Sequence, residues 1–339
     1  MSVVTAAAGR GSYRFRRLAR AHPVLCHVAV RVALGIVTLW LVSVVIFAAT
    51  QVLPGNAAYA VLGRSVTPQR LHAVERLLNL NRPLVSQYGS WIGGVLHGNF
   101  GTSLANGESV SALIGSRIVN SAVLVVAAGV IGTLIAGVLG MLAAARRDSS
   151  FDHGASVIAL GIAALPEFAV AIALVILFSV LVLHVLPAVS AIPAGTEPWQ
   201  NINELILPVA TLAIVIAPYI FRIVRGAMIE ALESDYVEMA QLKGLSRGRV
   251  LLLHAFPNAL PPVVQVIGLN LLYLAGGIVV VEYVFDYPGM GAALVDAVSN
   301  RDIPVIQFTV LVLTAFYVFV NITTDIISLL ASPRRRVAG

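Results

Sequence analysis

Six apolar runs, each near the length that crosses a bilayer, leave this chain few ways to fold. They cover residues 32–52, 119–145, 157–183, 205–221, 259–281 and 305–331. A helix needs about 20 mostly apolar residues to span the hydrocarbon core. Lipid cannot satisfy backbone polar groups, so each run is expected to be helical. Composition agrees: of 339 residues 58% are hydrophobic and 11% charged, and the mean hydropathy is +0.91. A water-soluble fold needs more polar residues than that to cover its exterior. The fold class read here is an all-α polytopic membrane protein with six transmembrane helices.

The arginines set a direction. Arg10, Arg14, Arg16, Arg17 and Arg20 precede the first span, and Arg146 and Arg147 follow the second. Arg222, Arg225, Lys243, Arg247 and Arg249 follow the fourth, and Arg334, Arg335 and Arg336 the sixth. In a six-span topology all of these fall on one side, and basic loops stay inside, so both termini are expected in the cytoplasm. The first run is too long for a signal peptide and lacks a small-residue cleavage site. Net charge is +6, without a long basic run interleaved with aromatics, so nucleic acid is not an expected partner. Cys26 is the one cysteine, which rules out an intrachain disulfide and reads as a small apolar residue.

Two polar stretches interrupt the apolar pattern. After the first span, Thr67-Pro68 reads as a helix start, followed by Leu71, Val74, Leu77 and Leu78 at helical spacing. Tyr88, Trp91, Ile92 and Val95 mark a second amphipathic helix closed by Gly98-Asn-Phe-Gly101. This segment either packs as a small subdomain or lies across the membrane surface or a pore mouth. The second stretch runs from Tyr236 through Lys243 to Pro262. Its acids come early, as a helix dipole favours. Gly244 suits the left-handed residue that ends a helix, and Ser246 suits the cap of the next. Two short helices joined at Gly244 make a compact knob between apolar spans, a shape suited to docking a partner outside the bilayer.

Glu238-Met-Ala240, Gly244 and Pro257 resemble the EAA loop of ABC importer permeases. The resemblance extends along the chain and is to the dipeptide/oligopeptide/nickel permeases of the DppB and OppB type. Leu53-Pro-Gly55, Leu80-Asn-Arg-Pro-Leu84, Gln87-Tyr88 and Phe100-Gly-Thr-Ser103 carry it in the first third. Lys243-Gly-Leu-Ser246, His254-Ala255, Asn258-Ala-Leu260, Val284-Phe285, Pro288-Gly-Met-Gly291, Asn300-Arg-Asp302, Asn321 and Asp325 carry it onward. Met239 stands where the loop's name has its second alanine, and methionine keeps that position helical and apolar.

The resemblance implies a type I importer permease fold in the cytoplasmic (inner) membrane. It implies a basic arm at 1–31, a first span at 32–52 and an extracytoplasmic loop at 53–118. A five-helix core would fill 119–331, with the coupling loop near 228–258 and a basic tail at 332–339. Glu238, Met239, Ala240, Lys243, Gly244 and Pro257 would couple to an ATPase. The implied partners are a second homologous permease, two ATP-binding subunits, an extracytoplasmic substrate-binding protein and membrane lipid. The chain carries no Gly-x-x-x-x-Gly-Lys-Ser/Thr phosphate loop. No cofactor is expected on it, and it is not expected to be an enzyme; ATP and Mg would sit on the partner subunits.

An ionised side chain at mid-bilayer costs at least about 2.5 kcal/mol, so it usually faces a cavity or a partner. Glu167, after Pro166 within the third run, is either a contact for a cationic solute group or a packing carboxyl. Gln265 and Asn270 in the fifth run either line the path or bond between helices. Glu282 and Asp286 read as solvated groups at a span end, and Asp325 as structurally paired. Phe285, Pro288, Gly289 and Gly291 form a turn that the resemblance makes a candidate outer gate or receptor contact. Short peptides are the first expected solute; nickel chelates and other small solutes are handled by similar permeases. The competing reading is a stand-alone secondary transporter with Glu167 as its coupling acid, which has no need of the knob.

Overall fold

A computed structural model describes residues 23–52, 82–181, 184–193 and 195–331. The arm arginines, Leu53-Pro-Gly55, the helix expected after Thr67-Pro68 and the tail arginines lie outside the described residues. Helices, in chain order, are α1 (Pro23–Val52), α2 (Leu84–Leu96), α3 (Val110–Ala145), α4 (Ser150–Ala163) and α5 (Glu167–Val175). They continue with α6 (Ile202–Leu232), α7 (Asp235–Leu242), α8 (Arg247–Val250), α9 (Phe256–Val284), α10 (Met290–Asn300) and α11 (Ile303–Ala331). Five helices are long and apolar enough to cross a membrane, or six spans if α4 and α5 count as one broken span.

The third run, read as one span over 157–183, is two helices in the structure. It divides at Pro166, and its halves meet at 102°. Proline disfavours helical backbone in the residue before it and offers no N–H. Here Pro166 itself is extended (ψ 148°), so the chain leaves the helix and restarts at Glu167. Elsewhere the helices overrun the apolar runs: α3 begins at Val110, within the stretch read as an extracytoplasmic loop, and α6 continues to Leu232. Helices need not stop where the hydrocarbon does, since their backbone is internally satisfied in either solvent.

α3 lies along α6, α6 against α9, α9 against α11, and α11 against α1, while α4 and α5 cover a flank of α6. Small residues let α3 and α6 approach closely. A β-carbon on Gly140 would sit 2.9 Å from the Phe221 carbonyl, and one on Gly132 would sit 2.9 Å from Ile216. With no hydrophobic drive between helices in lipid, such close packing is what holds them together. The core is built mainly on α6, including Leu212, Ile216, Ile220, Phe221, Val224 and Met228.

Polar contacts fix the two ends of the bundle. At one end Arg31 of α1 pairs with Asp325 of α11 at 2.8 Å, and Arg147 after α3 pairs with Glu233 after α6. Asp325 thus has the structural partner expected of it. At the other end the Gln307 amide donates to Thr50 Oγ1 at 2.9 Å. There Ser103 donates its hydroxyl to the buried Asp302, whose other oxygen takes the Leu104 N–H at 3.0 Å. That contact joins two of the motifs quoted above across the whole chain. The amphipathic helix expected around Tyr88 is α2. It rests on α1 through Phe47, Tyr88 and Trp91, and Tyr88 Oη lies 2.8 Å from Ser43 Oγ.

Candidate functional site: the coupling knob and the mid-membrane face

The knob forms as its sequence predicts. α7 begins after Ser234, whose extended backbone starts the helix, and ends at Lys243. Gly244 is left-handed (φ 76°). Its N–H donates to the Gln241 carbonyl at 2.9 Å and the Leu245 N–H to the Ala240 carbonyl at 3.3 Å, the paired bonds of a Schellman ending. Ser246 precedes α8 as expected, but its side chain makes no cap hydrogen bond.

The two faces of α7 differ. Val237 and Ala240 are buried and belong to the main core, so they seat the helix on the bundle. Tyr236, Glu238, Met239, Leu242 and Lys243 are exposed. Met239 at 54% and Leu242 at 76% exposure give that face an apolar centre, rimmed by Glu238 and Lys243. Of the expected coupling residues, Glu238, Met239, Lys243 and Gly244 stand on the surface, whereas Ala240 faces inward. Pro257 is half-buried in the first turn of α9. Before it the helix widens to a π turn over Leu251–Ala255, with the Phe256 N–H reaching the Leu251 carbonyl. A proline at 257 cannot donate to the preceding turn, and a π turn absorbs such a misfit.

Two ion pairs tie α6 and its C-terminal end, just before the knob, to the α3–α4 connection and to α4. Arg147 meets Glu233 one residue before the Ser234 cap. Arg225 of α6 grips Asp152 in two-pronged fashion, Nε to Oδ1 at 2.5 Å and Nη2 to Oδ2 at 2.7 Å. Asp152 is buried and also takes the Asp148 N–H at 3.1 Å, while Ser149 Oγ accepts the Asp152 N–H at 3.2 Å. Ser149 is therefore the cap of α4, and Asp152 both braces the turn before it and pairs with Arg225. It drew no notice in the sequence because Asp148 and Asp152 after Arg146-Arg147 look like solvated loop.

Farther into the bundle, the bend at Pro166 puts Glu167 on the first turn of α5, next to α9. Its carboxyl lies over Gly277, where a β-carbon would collide with it. The Tyr273 phenol is its polar neighbour, and Tyr219 of α6 stands beside Tyr273 with ring centroids 6.5 Å apart. Sequence reading missed both tyrosines; Tyr273 carried a signal as a phenol in the middle of its apolar run, whereas Tyr219 stands two residues from the end of its run. Gln265 and Asn270 do not join this group. Gln265 is exposed and its amide donates to Ser328 Oγ at 3.2 Å, a bond between α9 and α11. Asn270 is buried and donates to the Val266 carbonyl of its own helix at 2.8 Å.

The turn after α9 is a packed strut. Glu282, read from sequence as solvated, is fully buried. Its carboxylate accepts the Ser121 hydroxyl at 2.5 Å, the Gly291 N–H at 2.7 Å and the Ala292 N–H at 3.1 Å. It thereby caps α10 from inside the protein, where the helix dipole welcomes an anion. Gly289 and Gly291 are needed for room: a β-carbon on Gly289 would meet the Glu282 carboxylate, and one on Gly291 would lie 2.6 Å from Val279 Cα. Phe285 and Tyr287 are buried, Pro288 is half-buried, and the Pro288 carbonyl accepts the Asn120 amide at 2.8 Å. Burial pushes the Tyr287 phenol above its ordinary pKa range, and its hydroxyl donates to the Asn120 carbonyl at 3.0 Å.

Comparison with known proteins matches this arrangement to one group. Residues 136–337 match the binding-protein-dependent transport system inner membrane component family, and residues 24–125 its N-terminal companion. A putative peptide transport system permease protein of Brucella abortus is 36% identical over 306 residues, 90% of this chain and 97% of the relative. A probable peptide ABC transporter permease protein of Sinorhizobium fredii is 34% identical over 90% of this chain and 97% of its own length. The glutathione transport system permease protein of Escherichia coli K12 is 34% identical over 89% and 96%. A bundle of apolar helices that carries a seated, half-apolar knob, matched along nearly its full length, belongs to the binding-protein-dependent inner membrane component family and is a permease subunit of an ABC importer.

Proposed function

We propose that this permease forms one half of the translocation path of an importer of short peptides. The observation that carries the coupling role is α7, which buries Val237 and Ala240 in the bundle and leaves Glu238, Met239 and Lys243 outside it. An apolar patch with a charged rim has the anatomy of a protein-docking surface. A separate ATP-binding subunit would seat there, hydrolyse ATP with Mg, and transmit its closure through Glu233–Arg147 and Arg225–Asp152 to the broken span. Peptide as cargo is supported by the names of the relatives, which include peptide and glutathione permeases.

The full assembly on this reading has a second, homologous permease, two ATP-binding subunits and an extracytoplasmic substrate-binding protein. The end of the bundle bearing Arg146, Arg147, Arg222, Arg225, Lys243, Arg247 and Arg249 lies in the cytoplasm of an inner-membrane protein, as the arginine rule requires. The buried turn at Phe285, Pro288, Gly289 and Gly291 acts at the opposite end as a rigid frame of the outer mouth.

Purification from the native membrane in mild detergent, followed by mass spectrometry and reconstitution, tests this. The expected result is copurification of a second permease and of phosphate-loop ATPases, with ATP-dependent uptake of a labelled tripeptide once the binding protein is added. Repeated recovery of the chain alone, with gradient-driven uptake and no ATPase, would overturn the proposal.

A further inference from the structure

Glu167, Tyr219 and Tyr273 come from three separate elements and converge on one face of the bundle. Glu167 opens α5, Tyr219 lies within α6 and Tyr273 within α9. At 1.5 Å per residue, Tyr273 is about 25 Å from the start of α9 and about 17 Å from its end, so the group lies well inside the span. The tyrosine rings are 42% and 49% exposed. Glu167 Oε2 is enclosed against Gly277 without a hydrogen-bond partner among the described residues. A carboxyl and two phenols turned toward hydrocarbon would be costly, so this face meets a water-filled cavity or a partner rather than lipid.

The chemistry of the group is specific. A carboxylate next to the Tyr273 phenol, with the Tyr219 ring 6.5 Å beyond it, can receive a cationic nitrogen, which gains a charge partner and has aromatic rings within reach for cation–π contact. On α6, Arg225 is held by Asp152, and Arg222, one turn beyond Tyr219, is exposed and forms no ion pair with Glu167 among the described residues. The site therefore lacks its positive partner within the described chain. We propose that Glu167, Tyr219 and Tyr273 form a station in the translocation path that receives the protonated amine of the solute. This rests on the peptide-importer reading and adds the residue-level determinant: the amino terminus of the peptide is what the permease itself reads.

The test uses the whole reconstituted complex in nanodiscs, with Cys26→Ser and a reporter, Phe168→Cys, next to Glu167. Alkylation of that cysteine by a neutral maleimide is timed with trialanine, with N-acetyl-trialanine, or with neither. Trialanine is expected to slow labelling at least threefold, the acetylated form to leave it unchanged, and Glu167→Gln to abolish the protection. Copurified subunits and an unchanged elution volume establish that the Glu167→Gln complex is assembled. Equal protection by both probes, absence of protection in a complex that imports trialanine, or undiminished protection in the Gln variant each overturns the station. Uptake separates the two readings. If the wild-type complex imports some other solute instead of peptides, the peptide reading fails. The station then stands if that solute has a cationic nitrogen and protects the reporter, and falls if it has none.

Discussion

Removing the Glu282 side chain would strand the Ser121 hydroxyl and the amides of Gly291 and Ala292 together. Each buried donor left without a partner costs about 1–3 kcal/mol. Glu282→Ala should thus lower the melting temperature of the purified protein and speed hydrogen exchange at residues 290–293. Unchanged exchange there would show that Glu282 does not hold α10. Gly244 makes a different case. Its surroundings are open, so only its left-handed backbone restricts what can replace it. Gly244→Val should add about 1–3 kcal/mol of strain and abolish uptake at normal membrane abundance. Gly244→Asn, which tolerates that conformation, should keep most of it. Equal loss in both variants would mean that glycine matters there for contact, not conformation. Asp152→Ala would leave Arg225 without its carboxylate; breaking a buried pair costs about 3–5 kcal/mol, and the partial exposure of Arg225 puts this case at or below the lower end. A clear drop in thermal stability, with Arg147–Glu233 intact, is the expected outcome.

At the scale of helices, the contact between α3 and α6 is the one most open to test. Gly140→Leu would drive a side chain into the Phe221 carbonyl and Val224, whereas Gly137 on the same helix has nothing within 4 Å of its β-position. Overpacking costs about 1–3 kcal/mol, so Gly140→Leu should destabilise the protein and Gly137→Leu should not. Equal melting temperatures would remove close α3–α6 packing as a source of stability. Much of this level was legible in the sequence. Five apolar runs became spans, the Tyr88–Trp91 stretch became α2, and Gly244 ended α7 because period, length and turn chemistry are local properties. The break at Pro166 was not legible as such. A hydropathy window averages across a proline, and whether the chain kinks by a few degrees or turns by 102° depends on what packs on either side. Glu282 was misplaced for a related reason: its partners, Ser121 and the α10 amides, reach it only once α3 and α10 have docked. Tyr219 and Tyr273 lie in segments whose apolar character hid them until three helices brought Tyr273 next to Glu167 and Tyr219 next to Tyr273.

Across the whole molecule, basic residues gather at one end of the bundle. Among the described residues that end holds Arg31, Arg146, Arg147, Arg222, Arg225, Lys243, Arg247 and Arg249, and the other holds Arg82, Arg117 and Arg301. A cysteine at Met239, in a Cys26→Ser background, should therefore react with a membrane-impermeant maleimide only in inverted vesicles. Adding the ATP-binding subunits should then shield it. Labelling from outside intact cells would invert the proposed topology.

The grip of Arg225 on Asp152 also bears on how the chain is made. Asp152 leaves the ribosome 73 residues ahead of its arginine. At about 5–20 residues per second, that is a wait of about 4–15 s. During it the third segment has neither its counter-ion nor the α6 surface that α4 and α5 cover. The clasp of α4 onto α6 is therefore expected to form late in biogenesis, after the fourth span has been made.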